Sequence, residues 1–95
     1  MKVHELKSER GSLAAVADGV KQAELRLDDR DYDAGDYLLM REWSEGTNAN
    51  GKPLGYGSMS VMAKVTHIVW VGQSFNALES NYVMLSISVL DVQGR

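Results

Sequence analysis

The sequence predicts an α+β domain, mainly β: a small curled β-barrel of about five mostly antiparallel strands with one short helix packed against it. Three observations carry this prediction. Only one stretch repeats its apolar residues at helical spacing. The remainder alternates with period two in four or five runs separated by turn residues. The length, 95 residues with 44% hydrophobic content, suits one core and no more, so residues 1–95 are expected to form a single domain.

A short extended opening, residues 3–6, comes first. Leu13, Val16, Ala17 and Val20 then recur at i, i+3, i+4 and i+7, which puts one apolar stripe on a helix of about two turns. Gly11 weakens the first turn, so the helix is expected to begin after it, with Ser8 or Ser12 as N-cap. Gly19 stands where a left-handed residue would end it. Beyond it the period changes: Ala23, Leu25 and Leu27 alternate with Gln22, Glu24 and Arg26, the pattern of a half-buried strand whose apolar side faces the core. The Asp-rich run to Ala34-Gly35-Asp36 is a turn, and residues 37–43 form the next strand.

Residues 44–57, which hold Gly46, Asn48, Asn50, Gly51, Pro53, Gly55 and Gly57, read as a hairpin loop or exposed excursion. A long apolar strand follows over 58–71. Its alternation slips around His67-Ile68-Val69-Trp70, which predicts a bulge or bend. Residues 72–81 form a connecting loop with a short turn at Asn76-Ala77-Leu78. The last strand runs over 82–92, with Val83, Leu85, Ile87 and Val89 in strict alternation against Met84, Ser86 and Ser88.

Charge is concentrated at the helix–strand junction, in the octapeptide Gly19-Val20-Lys21-Gln22-Ala23-Glu24-Leu25-Arg26. It reads G-x-K-x-x-E-x-R and places a cation, a carboxylate and a second cation within six residues. Glu24 and Arg26 share one strand face, and Lys21 at the head of the strand leans over the same cleft. Lys or Arg there suits phosphate or a base carbonyl, and Glu24 suits an exocyclic amine. As an enzyme, the same group would use Glu24 as general base on water and Lys21 as electrophile or proton donor. The bland alternative is a salt-bridged strand face in which Glu24 neutralises two basic neighbours. His4 and Lys7 lie near the start and border the same cleft.

Composition narrows the function classes. There is no cysteine, hence no disulfide framework and no thiolate zinc site. Two histidines 63 positions apart make a metal site improbable, and no cofactor is expected. No leader-like segment follows Met1, and no apolar stretch is long enough to span a bilayer, which reads as a cytoplasmic protein away from membranes. The net charge of −3 counts against tight nonspecific nucleic-acid binding. Asp28, Asp29, Asp31, Asp33 and Asp36 supply much of that acidity, leaving a modest basic cleft elsewhere. The Asp tract lacks the spacing of a calcium loop. The serines of the late strands lack the His–Asp partners of a triad.

Three signatures resemble the ASCH domain of the PUA-like superfamily, in its small phage and bacterial subfamily. They are the opening His4-Glu5-Leu6-Lys7, the G-x-K-x-x-E-x-R motif continuing through Asp28-Asp29-Arg30-Asp31-Tyr32 to Gly35-Asp36, and the closing Tyr82-Val83-Met84-Leu85-Ser86-Ile87. The resemblance implies a PUA-like barrel with a cleft beside the helix, lined by the Lys and Glu of the motif. It implies less about chemistry: relatives are proposed to bind RNA, and with the charged residues this makes RNA, a nucleotide or a modified nucleoside the expected ligand, held by Lys21, Glu24 and Arg26 with His4 and Lys7 bordering the cleft. Some relatives are N4-acetylcytidine amidohydrolases or ribonucleases. In the amidohydrolase branch the motif's Lys activates a Thr three residues later. Here that position is Glu24, a poor nucleophile toward an amide, so the mechanism is not carried over. A protein-interaction module of phage origin, using residues 44–57, is a third reading. The sequence sets no oligomeric state.

Overall fold

The computed structural model describes residues 1–71 and 81–95. The expected turn at residues 76–78 lies outside them. In chain order the elements are β1 (Val3–Ser8), α1 (Arg10–Ala17), β2 (Ala23–Leu27), β3 (Tyr37–Thr47), β4 (Pro53–Trp70) and β5 (Tyr82–Gln93). They form one five-stranded mixed sheet in the order β1-β3-β4-β5-β2 with one described helix against it, the α+β, mainly β arrangement the sequence predicts. Only β1 and β3 run parallel; the other three pairs are antiparallel. The sheet curls as a small barrel does, but its two edge strands, β1 and β2, are not paired to each other, so the cylinder has an open seam.

The core is the inward side of this curl. Val83, Leu85 and Ile87 of β5 meet Val61, Ala63 and Val65 of β4, with Leu38 and Met40 of β3 and Leu6 of β1. Leu13 and Val16 of α1 complete it, both wholly buried. The register of β4 against β5 shifts between Val65 and His67, the slip visible in the alternation, and Ile68 rather than His67 turns inward.

The helix begins at Arg10, before its glycine rather than after it. Glu9 is the N-cap: its carboxylate accepts from the backbone N–H of Gly11 at 2.8 Å. A Cβ on Gly11 would lie 2.9 Å from that carboxylate oxygen, so the glycine admits the cap rather than delaying the helix. Neither Ser8 nor Ser12 caps it; both hydroxyls are taken by basic side chains described below. At the other end Gly19 has φ +75, and the backbone N–H groups of Val20 and Lys21 both reach Ala15 O at 3.0 Å. This left-handed ending turns the chain directly into β2.

The segment 44–57 is taken up mostly by strand. β3 and β4 extend well beyond the expected limits into a long hairpin, and only the tip around Asn48–Lys52 is turn. Asn48 organises it by accepting through Oδ1 from the backbone of Asn50 and Lys52, the local side-chain-to-backbone bonding that favours Asn in tight turns.

The larger correction concerns β2. Its apolar residues face outward: Leu25 and Leu27 remain 51% and 46% exposed, whereas Glu24 is 4% exposed and Arg26 points into the curl. On the inner face Lys21 and Arg26 flank the carboxylate and are themselves bonded to Ser12 in the first turn of α1 and Ser8 of β1, so the buried charge is compensated there. The two leucines instead pair across the strand with Met84 and Tyr82 of β5, which covers about half their surface.

Candidate functional site

The octapeptide folds into a compact polar cluster. The left-handed turn at Gly19 brings Lys21 back over the first turn of α1, where Nζ donates to Ser12 Oγ at 2.5 Å. The same Nζ lies 3.2 Å from Glu24 Oε1. On the other side Arg26 Nε donates to Glu24 Oε2 at 3.3 Å, and its Nη2 reaches across to Ser8 Oγ of β1 at 3.0 Å. Arg26 thus bridges the two unpaired edges of the sheet with a side chain. Glu24 Oε1 is buried and accepts no aligned hydrogen bond, because the Lys21 ammonium is close but directed at Ser12. A charge attraction holds that oxygen without satisfying its lone pairs.

A second buried carboxylate stands beside this cluster. Glu42 pairs in register with Ser8 across β1 and β3. Its Oε1 accepts from Arg10 Nη1 at 2.6 Å and from the backbone N–H of Met59 at 3.2 Å. Gly57 makes room for it: a Cβ there would lie 2.3 Å from the Glu42 carboxyl carbon. Sequence reading passed over Glu42 and Arg10, although a signal existed. Leu38, Met40 and Glu42 occupy alternate positions of one strand, so the inward phase set by the first two also places the third.

The seam between the edge strands opens into a cleft of about 760 Å³. Glu5, Leu6 and Lys7 of β1 form one wall, and Leu25, Arg26 and Leu27 of β2 the other; Asp29, Arg30 and Tyr32 close one end, and Tyr56 and Tyr82 add aromatic surface. The expected site residues divide accordingly. Arg26 and Lys7 line the cleft, and Glu24 lies behind Arg26. Lys21 borders a separate hollow of about 310 Å³ beside Val16 and Ile87.

His4 takes another place. It is buried against Tyr32, ring centroids 4.6 Å apart, and its Nε2 donates to Asp36 Oδ2 at 2.8 Å. Asp36 also accepts from the backbone N–H groups of Lys2 and Asp33. Burial pushes the Asp36 pKa up, but the His4 bond and the two backbone bonds outweigh it and hold the value down at about 2. Burial raises the pKa of the Tyr32 phenol. His4 therefore backs the tyrosine at the end of the cleft rather than lining the cleft itself. The tract expected to be a solvated turn conceals this one structural carboxylate, while Asp31 and Asp33 stay outside as partners of Lys2. Among the described residues no group of His, Cys, Asp and Glu is placed to hold a metal ion, and no helix is long and apolar enough to cross a membrane.

Residues 3–87 match the model of a domain of unknown function, DUF3850. The chain belongs to the DUF3850 family. A curated relative, the uncharacterized 12.9 kDa protein in the GpA 3′ region of Escherichia phage P2, is 42% identical over 45 residues, which is 47% of this chain and 41% of that protein. The matched stretch thus spans less than half the length of the phage protein. Among solved structures, the crystal structure of hypothetical protein PH0355 superimposes with a TM-score of 0.58, covering 95% of this chain and 100% of that one at 14% identity. At that identity the likeness concerns the fold alone.

The DUF3850 match takes in Lys21, Glu24, Arg26, Glu42, Gly57 and every described residue lining the seam cleft. Cluster and cleft both lie inside the family's domain, whereas Lys2, which supports Asp36, precedes the match.

Proposed function

We propose that this DUF3850 domain binds a nucleotide, a modified nucleoside or an RNA segment in the seam cleft, in the manner of the ASCH domains its motif resembles. The observation that carries the reading is the double position of Arg26. Its guanidinium lines the cleft and at the same time fixes the buried Glu24 and bridges to Ser8. A forked cation held from behind by a carboxylate is pre-organised for an anionic or carbonyl oxygen in front of it. Glu24 lies behind Arg26 and does not line the cleft, so its part is to hold the guanidinium in place from the buried side. Tyr56 and Tyr82 offer ring surface for a base. Lys21 acts from the rear, holding Glu24 in place through charge and Ser12.

The test is equilibrium binding of nucleoside monophosphates and short RNA to the wild-type protein and to Arg26→Met and Lys21→Ala, each checked for folding by circular dichroism. Affinity is expected to fall at least tenfold in Arg26→Met, matching the loss of a charge-assisted contact. Unchanged affinity in both folded variants refutes the reading. Mass spectrometry of N4-acetylcytidine and RNA after incubation separates binding from turnover; product formation that is lost in Glu24→Gln would assign hydrolysis instead.

A further inference from the structure

On the outer side of β1, β3 and β4, two cations and two aromatic rings form a crossed quartet. Lys7 and Arg41 are register partners across β1 and β3, and Trp43 and Tyr56 are register partners across β3 and β4. The contacts run diagonally: Lys7 Nζ lies 3.8 Å from the Trp43 ring centroid, and the Arg41 guanidinium lies 3.9 Å from that of Tyr56. The rings meet edge to face at 4.8 Å. Trp43 Nε1 donates to Glu45 Oε1 at 3.0 Å, which fixes the indole plane. Tyr56 and Lys7 also line the seam cleft, and Lys7 and Trp43 line a neighbouring hollow of about 510 Å³. The quartet is therefore continuous with the cleft.

We infer that the ligand of the cleft is a single-stranded oligonucleotide, whose neighbouring bases stack on Trp43 and Tyr56. This rests on the nucleotide-binding reading above and extends it beyond a lone nucleotide. Each ring carries a cation on its face, a contact of modest worth at an exposed site. A base can take the place of either cation on the ring; the displaced Lys7 is then left within reach of the phosphates on either side of that base, while Arg41 keeps its bond to Glu5 Oε1 at 2.7 Å. Stacking is indifferent to base identity, and the exchange keeps both charges employed. A free nucleotide held by Arg26 would have no use for the second hollow or for Trp43.

The experiment compares a mixed-sequence RNA hexamer with the four nucleoside 5′-monophosphates. Trp70→Phe leaves Trp43 as the sole indole, and its emission is expected to be quenched by the hexamer but not by monophosphates. Trp43→Ala should weaken hexamer binding about tenfold or more, as loss of one stacked base implies, with Trp43→Phe restoring most of it and monophosphate affinity unmoved. If hexamer and monophosphates bind equally and both depend on Arg26 but not on Trp43, the inference falls while the nucleotide reading stands. Hexamer binding that needs Trp43 but not Arg26 overturns the reading of the cleft and the inference resting on it. Absence of binding by either probe refutes both.

Discussion

Replacing Arg26 by Met tests the seam most directly. The substitution keeps much of the side chain's volume but removes the partner of Glu24 Oε2 at 3.3 Å and the bridge to Ser8 at 3.0 Å. Stranding a fully buried charge costs about 3–5 kcal/mol. Two features lower that figure here. The Arg26 side chain retains 24% of its exposure, so part of the interaction is already screened by water, and Lys21 remains 3.2 Å from the other carboxylate oxygen. A loss of about 2 kcal/mol is therefore expected, which for a domain of this size lowers Tm by ~8–16 °C. Glu24→Met in the same background removes the stranded charge, so the double variant should be less destabilised than the sum of the single ones by about 1–2 kcal/mol. Urea unfolding of the four proteins measures the cycle. Additivity within ~0.5 kcal/mol, or an Arg26→Met protein as stable as wild type, would refute the claim that Glu24 is buried against Arg26.

Gly57→Ala is expected to behave as a lesion of Glu42. The new Cβ would fall within 2.6 Å of both carboxylate oxygens, displacing them from Arg10 and from the Met59 N–H. A loss of about 1–3 kcal/mol follows, and adding Glu42→Ala should recover part of it in thermal unfolding. Asp36 governs the acid limb. Its folded pKa, about 2, lies below the ordinary 3.8, so its contribution is fully present above pH 4 and is lost as pH falls toward 2. The urea midpoint of the wild type should drop over that interval, and Asp36→Asn should flatten the drop.

Much of this architecture can be read from period alone. The strict alternation of Val83, Leu85 and Ile87 against Met84 and Ser86 fixed both the strand and its inward side. The stripe of Leu13 and Val16 did the same for the helix. The junction cluster of Lys21, Glu24 and Arg26 was legible because charge is conspicuous where burial is expected. The side on which Glu24 would lie was not. A period of two says that Leu25 and Glu24 face opposite ways, but which of them faces inward depends on what lies across the seam. Ser8 and Ser12 supply that polar surface from other elements, and nothing within β2 announces them. His4 misled for a related reason: its partners, Tyr32 and Asp36, sit in a tract whose acidity suggested solvent. The inward phase of Leu38 and Met40, carried two residues further along β3, places Glu42.

The order of strands also bears on how the molecule assembles. β3 and β4 close a tight hairpin around Asn48–Lys52, a local event, and β5 extends it. The walls of the cleft join differently. β1 pairs Val3 with Tyr37, and β2 pairs Ala23 with Ser86, so each must close a long loop before its contacts return anything. Each is also fastened along one edge only. The three-stranded meander is therefore the scaffold on which β1 and β2 are expected to dock late. The two strands flanking the seam are the ones in this sheet hydrogen-bonded to a single neighbour each, and the Arg26–Ser8 contact spans the gap between them.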